Sequence, residues 1–142
     1  MKKLQFLTYL FAALLMVTTV SCDEDDDDTT PDKESLLTAG EWTGDKIYVQ
    51  GVDATDDFAE LFDFDVKNST ISFSADGTYT ADSDFGSDEG TWEFSEDETQ
   101  IILDEGTDDE TTVEVNRLTS SEFWAEGDLA DMGQDVEIRF VR

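Results

Sequence analysis

Carboxylates are the first side chains to weigh, because 37 of the 142 residues are Asp or Glu. Asp82, Asp84, Asp88 and Glu93 stand at positions one, three, seven and twelve of a run. That is the oxygen-ligand spacing of a helix-flanked calcium loop. Such a loop needs Gly at its sixth position for the sharp turn, and Ser87 stands there. The flanks read as strands, with Glu93 inside one. No metal site is assigned, and the acidic rim is left to weak, nonspecific cation binding. A glycosidase-like carboxylate pair is the other use for such residues. Nothing in the spacing singles out one pair, and the acids fall where solvation explains them, in turns and on outward strand positions. The chain has no His, which excludes His-based triads. One Cys excludes disulfide frameworks and the common zinc sites. A net charge of -29 repels phosphate backbones and excludes nucleic acid as a partner. The reading is a non-enzyme without a cofactor.

The single Cys, Cys22, has a specific setting. Lys2 and Lys3 precede an apolar stretch from Leu4 to Val20, and the small Ser21 precedes the Cys. A basic start, an apolar centre and a small residue at the cut define a secretory signal peptide over residues 1–21. The apolar stretch carries Gln5, Thr8, Thr18 and Thr19 and is marginal for a spanning helix, which needs about 20 apolar residues. Thr19-Val20-Ser21-Cys22 resembles the lipobox of bacterial lipoproteins, with Thr19 departing from the usual aliphatic residue. The resemblance implies that Cys22 becomes the acylated, palmitate-type mature N-terminus, anchored in a membrane. Asp23 to Asp28 are six consecutive acids. Such a block self-repels and stays solvated, so residues 22–35 are expected to be the lipidated Cys and a disordered acidic linker. An acidic run directly after the lipidated Cys is also similar to the signal that sends some Gram-negative lipoproteins to the outer face of the outer membrane. Cleavage after Ser21 removes two Lys and no acid, leaving 37 acids against 6 bases, a net of -31 over 121 residues.

From residue 36 to 142 the chain reads as one domain of short strands. Hydrophobic residues make up 38% and aromatics 11%, enough for one core. Pro31, the single Pro, lies in the linker, where it cannot disturb a ladder. Eight β-type runs follow: Glu41 to Val52, Thr70 to Ser74, Thr78 to Ala81, Gly90 to Ser95, Gln100 to Leu103, Thr111 to Leu118, Glu122 to Glu126 and Asp135 to Arg142. Asp76-Gly77 supplies the positive φ of a tight hairpin. Asp82-Ser83-Asp84 and Thr107 to Glu110 are read as turns. Alternation along the runs puts one face in water and one in a core. Eight strands joined in order by short loops predict an antiparallel up-and-down barrel, all-β. A β-sandwich needs crossing connections that these loops do not favour. Trp42, Phe73, Tyr79, Trp92, Phe94, Phe123 and Phe140 are the expected core.

One stretch breaks the strand pattern. Across Asp53 to Phe64, Phe58, Leu61 and Phe62 stand at i, i+3 and i+4, one helical face. Thr55 is the expected N-cap. A short helix after the first strand, lying across one end of the barrel, is predicted. Phe58, Leu61, Phe62 and Phe64 then either plug that end or line a ligand mouth. The aromatic count leaves little expected room for a cavity.

Gly40-Glu41-Trp42, Phe73-Ser74-Ala75-Asp76-Gly77-Thr78-Tyr79 and Gly90-Thr91-Trp92 together resemble the signatures of small lipocalin-like lipoproteins. The resemblance covers residues 36–142. It implies a lipocalin-like barrel with Trp42 at a closed end beside a basic side chain from a late strand, Arg117 or Arg139. Two functions stand open. One is a surface-anchored module that binds a small hydrophobic ligand. The other is a structural or protein-interaction lipoprotein with a filled barrel.

Overall fold

The computed structural model describes residues 31–128 and 133–142. The signal-like segment, Cys22 and the Asp23 to Asp28 run lie outside the described residues. The first element is a helix, α1 (Lys33–Thr38), capped by Asp32, whose carboxylate accepts the Ser35 N–H at 2.7 Å. Residues 32–35, read from sequence as the end of the linker, therefore already belong to the ordered unit.

The strands are β1 (Trp42–Val49), β2 (Val52–Asp53), β3 (Thr70–Phe73), β4 (Thr78–Ser83), β5 (Gly86–Phe94), β6 (Gln100–Leu103), β7 (Thr111–Leu118), β8 (Glu122–Gly127) and β9 (Val136–Val141). From β3 to β9 each pairs antiparallel with the next, and β1 pairs with both β3 and β9. The sheet thus closes on itself as the expected eight-stranded up-and-down barrel. The two-residue β2 is an addition, hydrogen-bonded where β3 leaves the far end of β1 unpaired, with Val52 opposite Val49.

The β4–β5 hairpin is longer than the sequence indicates. Asp82 and Ser83 are strand, not turn, and β5 begins at Gly86 rather than Gly90. Asp82 pairs with Ser87, Thr80 with Glu89 and Ala81 with Asp88. These polar side chains carry no apolar alternation, so this pairing has no period-two signal in the sequence. The tight turn at Asp76-Gly77 is as expected: Gly77 has φ 87°, and Asp76 accepts both the N–H and the hydroxyl of Thr78.

Inward positions build two apolar clusters. The larger joins Leu37, Trp42, Phe73, Tyr79, Trp92, Ile101, Val113, Phe123, Ala125 and Phe140. Phe94 is half-buried and meets Trp92 edge to face at 5.5 Å. The smaller joins Ile47, Val66 and Val136, with Phe58 and Phe64 against it. Gly44 is required between β1 and the 3-10 turn Val66–Asn68. A Cβ there would lie 2.1 Å from the Val66 carbonyl oxygen, and the Gly44 N–H donates to Ser69 O at 2.8 Å.

Helix α2 (Thr55–Phe62) follows β2 as expected. Its cap is not Thr55, which is already the first helical residue. Asp53 accepts the Thr55 N–H and hydroxyl instead, at 3.0 and 2.6 Å, and the Thr55 oxygen accepts the Ile47 N–H.

Four turn-capping acids set a pH dependence. The Ser35 backbone N–H lowers the pKa of Asp32, the Thr55 hydroxyl that of Asp53 and the Thr78 hydroxyl that of Asp76. The Thr99 hydroxyl, with Ser95, holds Asp97 at about 2. A depressed folded-state pKa gives stability that is present above the ordinary carboxylate value and lost as pH falls through the folded one. Against this stands self-repulsion. Six acids and two Lys precede Asp32, so the ordered unit keeps 31 acids, 6 bases and a net charge of -25. Mild acid relieves that repulsion before the caps protonate. The melting temperature in low salt is expected to rise from pH 7 to a maximum at about pH 4–5, then fall as the carboxylates protonate below about pH 4. A monotonic fall from pH 7 would contradict this balance.

Candidate functional site

The two ends of the barrel differ. At one end α1 closes the opening, with Leu37 fully buried beside Trp42 and its carbonyl accepting the Trp42 indole N–H at 2.9 Å. The basic partner of Trp42 is neither Arg117 nor Arg139. It is Arg142, whose guanidinium carbon lies 4.0 Å from the indole centroid. Arg142 also donates to Ser120 O and Leu36 O, at 2.8 and 3.2 Å, tying the chain end to α1. Arg139 lies on the outer wall between Tyr48 and Trp124, 3.8 Å from each ring centroid, with Arg117 5.3 Å from Trp124. Outward positions of β1, β9, β8 and β7 carry these residues, so the barrel's inside receives none of them.

At the opposite end lies a cavity of about 570 Å³. This corrects the expectation that aromatic side chains leave little room. The aromatics segregate by height. Phe73 meets Trp92 and Phe123 edge to face and Tyr79 at a tilt in the half nearest α1. Farther along, inward positions hold Ala81, Ser83 and Gly86, which line the cavity with Ile47, Ile71, Leu103, Val136 and Ile138. Small side chains where the barrel widens leave the space unfilled.

The rim is aromatic. Phe58, Phe62 and Phe64 line the cavity, and Phe58 and Phe62 sit 5.2 Å apart. Leu61 does not join them; it is 75% exposed and turns away. Phe85, at the β4–β5 tip, completes the rim by stacking on Phe64 at 5.0 Å with planes 2° apart. Sequence reading missed Phe85. Its one signal is a lone aromatic between Asp84 and Gly86, beside a segment whose acids read as a turn.

The polar groups of the cavity are acidic. Tyr79 donates its hydroxyl proton to Asp104 at 2.9 Å, and Asp88 lies 3.5 Å from the same oxygen. Burial, then the Asp104 hydrogen bond and the nearby carboxylates, push the Tyr79 phenol well above its usual range. Gly90 makes this possible: a Cβ there would stand 1.9 Å from an Asp104 oxygen. The other Asp104 oxygen takes the Thr91 N–H at 3.0 Å. Ser69 lines the cavity wall, and its buried Oγ has no hydrogen-bond partner among the described residues.

The four acids with calcium-loop spacing are kept apart by their own hydrogen bonds. Asp82 accepts from Ser87 and is one of the residues at the cavity's edge. Asp84 accepts the Asp65 N–H at 2.9 Å and the Asn68 amide at 3.1 Å. Asp88 faces Tyr79. Glu93 shares a hydrogen bond with Glu105, which raises the pKa of Glu105. Among the described residues no group of three or more acidic, His or Cys side chains converges as a metal site would require.

A closed eight-stranded antiparallel barrel, capped by a short helix at one end and hollow at the other, defines the lipocalin-like class. A sequence model of the lipocalin-like domain matches residues 38–123, more than half of the chain, and the chain belongs to that family. A similar solved structure is the crystal structure of a DUF4847 family protein from Bacteroides vulgatus. It is 17% identical, with a TM-score of 0.52, and the match covers 76% of this chain and 95% of that one. At that identity the likeness speaks for the fold alone. No curated protein matches the sequence.

Proposed function

We propose that this is a lipid-anchored lipoprotein of the outer membrane, facing the cell exterior, whose barrel holds a small hydrophobic ligand. The observation that carries the ligand reading is the cavity of about 570 Å³ behind a phenylalanine rim. That volume lies within the range of small-molecule sites, which are concave, mostly apolar and carry few polar groups. The anchor reading rests on Cys22 and the acids that follow it. The protein acts as a carrier or sensor rather than an enzyme, because the cavity is mostly apolar and its Tyr79 hydroxyl is already committed to Asp104. Its partners are a membrane, through the lipid, and the ligand. The alternative role, contact with a protein partner through a filled barrel, has no observation in its favour at the hollow end.

The test is uptake of a neutral fluorescent probe, N-phenyl-1-naphthylamine, by the full mature chain made without lipid through Cys22→Ala. One probe per chain is expected to bind. Ala81→Trp should abolish uptake by filling the cavity while the melting temperature stays near that of the parent. Phe62 is 46% exposed, so Phe62→Ala should cost about 1 kcal/mol and change uptake. No uptake by the parent, with a large stability loss at Phe62, would return the filled structural barrel.

A further inference from the structure

We infer that the cavity selects an apolar amine in its cationic form and rejects fatty-acid carboxylates. This rests on the ligand-binding reading above and names the chemical class of the occupant. Three features carry it.

The first is the direction of Asp88. Strand pairing sets Asp88 opposite Ala81 and Gly90 opposite Tyr79. Tyr79 and Trp92 are buried, so alternate residues Gly90 and Asp88 share their inward face. The position of Asp88 beside the Tyr79 hydroxyl agrees with that direction.

The second is the balance of donors and acceptors. Tyr79 has one proton, and Asp104 takes it at 2.9 Å. Asp88 is left with the N–H of the adjacent Glu89 at 2.9 Å and the long 3.5 Å contact to the phenol. Asp88 lines the cavity while remaining exposed toward its mouth, and it retains acceptor capacity there. A ligand group arriving there meets acceptors, so it must donate.

The third is the absence of a countercharge. Among the described lining residues none is Lys or Arg, and residues 129–132 contain neither. Arg117, Arg139 and Arg142, half of the six bases from Asp32 on, are held by rings on the outer wall and at the closed end. A carboxylate entering this cavity would lie near Asp88 with no Lys or Arg in the described lining to offset it. Lys46 and Lys67 stand outside it in a cleft with Asp45, Asp53, Asp56 and Asp57, and Lys33 donates to Glu98 O. A net charge of -25 on the ordered unit, from the charges counted above, adds a field that concentrates cations at the mouth.

The experiment compares dodecylammonium, dodecanol and dodecanoate, one alkyl chain with three head groups. Binding to the unlipidated full chain is measured by calorimetry in physiological salt, below each probe's micelle concentration. Dodecylammonium is expected to bind at least about tenfold more tightly than dodecanoate, with dodecanol between, as expected for one charge pair of partial exposure. Asp88→Asn should reduce that ratio to about threefold or less, with an unchanged melting temperature as the folding control. Asp108→Asn, which removes the same charge from an exposed turn, should leave the ratio intact. Equal or tighter binding of dodecanoate overturns the charge assignment and leaves cavity binding standing. So does a preference that survives in the double variant Asp82→Asn, Asp88→Asn, which removes both carboxylates of the described lining, because it then belongs to the surface at large. If none of the three probes binds, the ligand-binding reading falls and this one with it.

Discussion

Trp42→Ala is expected to remove about 3–5 kcal/mol of folding stability, the usual cost of truncating a buried Trp. The ring is fully buried, tilted against Phe123 at 5.7 Å and covered by Arg142 at 4.0 Å. Its N–H meets Leu37 O at 2.9 Å. Alanine leaves a cavity, an unpaired carbonyl and an Arg142 without its ring. Each loss loosens α1, so the closed end should open as a unit. A domain of this size holds about 5–15 kcal/mol in all, and the variant should be mostly unfolded or close to it. Urea titration followed by near-ultraviolet dichroism measures the loss. Arg142→Lys separates the parts: it keeps a charge near the ring but loses the forked donation to Ser120 O and Leu36 O. A loss of about 1 kcal/mol is expected there. A cost at Trp42 below that at Arg142 would mean that the indole is not what holds this end.

The closed end was largely legible in the sequence, and the open end was not, for one physical reason. Where residues bury large apolar rings, alternation is loud. Phe73, Tyr79, Trp92, Phe123 and Phe140 stand at period-two positions and are buried together. Where the barrel is hollow, inward residues are small or polar, and Ala81, Ser83, Gly86 and Asp88 give no periodic signal. The same silence made β4 and β5 look short. Counting aromatics over the whole chain therefore predicted a filled interior, although they fill half of it. Helix α1 escaped because its six residues, KESLLT, are too few for a period. Thr55 drew attention as a cap by its residue type, but Asp53, two residues earlier, accepts the first N–H. Arg142 gives no signal in the sequence because its partners, Leu36 O, Ser120 O and the Trp42 ring, come together only when the barrel closes. Among the mouth residues, helical spacing alone grouped Leu61 with Phe58 and Phe62. Leu61 and Phe62 are one residue apart and so point about 100° apart around the helix axis; which of them faces the cavity depends on where α2 docks, which tertiary contacts decide.

Cys22→Ala is expected to move the protein from the membrane fraction to the soluble one almost completely. An acyl chain contributes about 0.8 kcal/mol per buried CH₂, and one chain gives marginal, reversible binding while two or more give stable anchorage. Among the described residues no helix is long and apolar enough to cross a membrane in its place. The barrel's surface is strongly acidic, so anionic membranes repel it, and the exposed aromatics Phe62 and Phe85 are rim positions of the cavity. The wild-type mass should exceed that of residues 22–142 by the acyl groups, and the variant should show no such addition. Replacing Asp23 to Asp28 by Ser and Ala tests the second half of the address. The anchor should survive, but protease added to intact cells should reach less of the protein, with total amount unchanged. Equal protease sensitivity would make the acids a spacer without directional content. Continued partition of Cys22→Ala with outer membranes, together with an unacylated wild-type mass, would remove the lipoprotein reading and leave a barrel whose place in the cell must be argued from something other than Cys22.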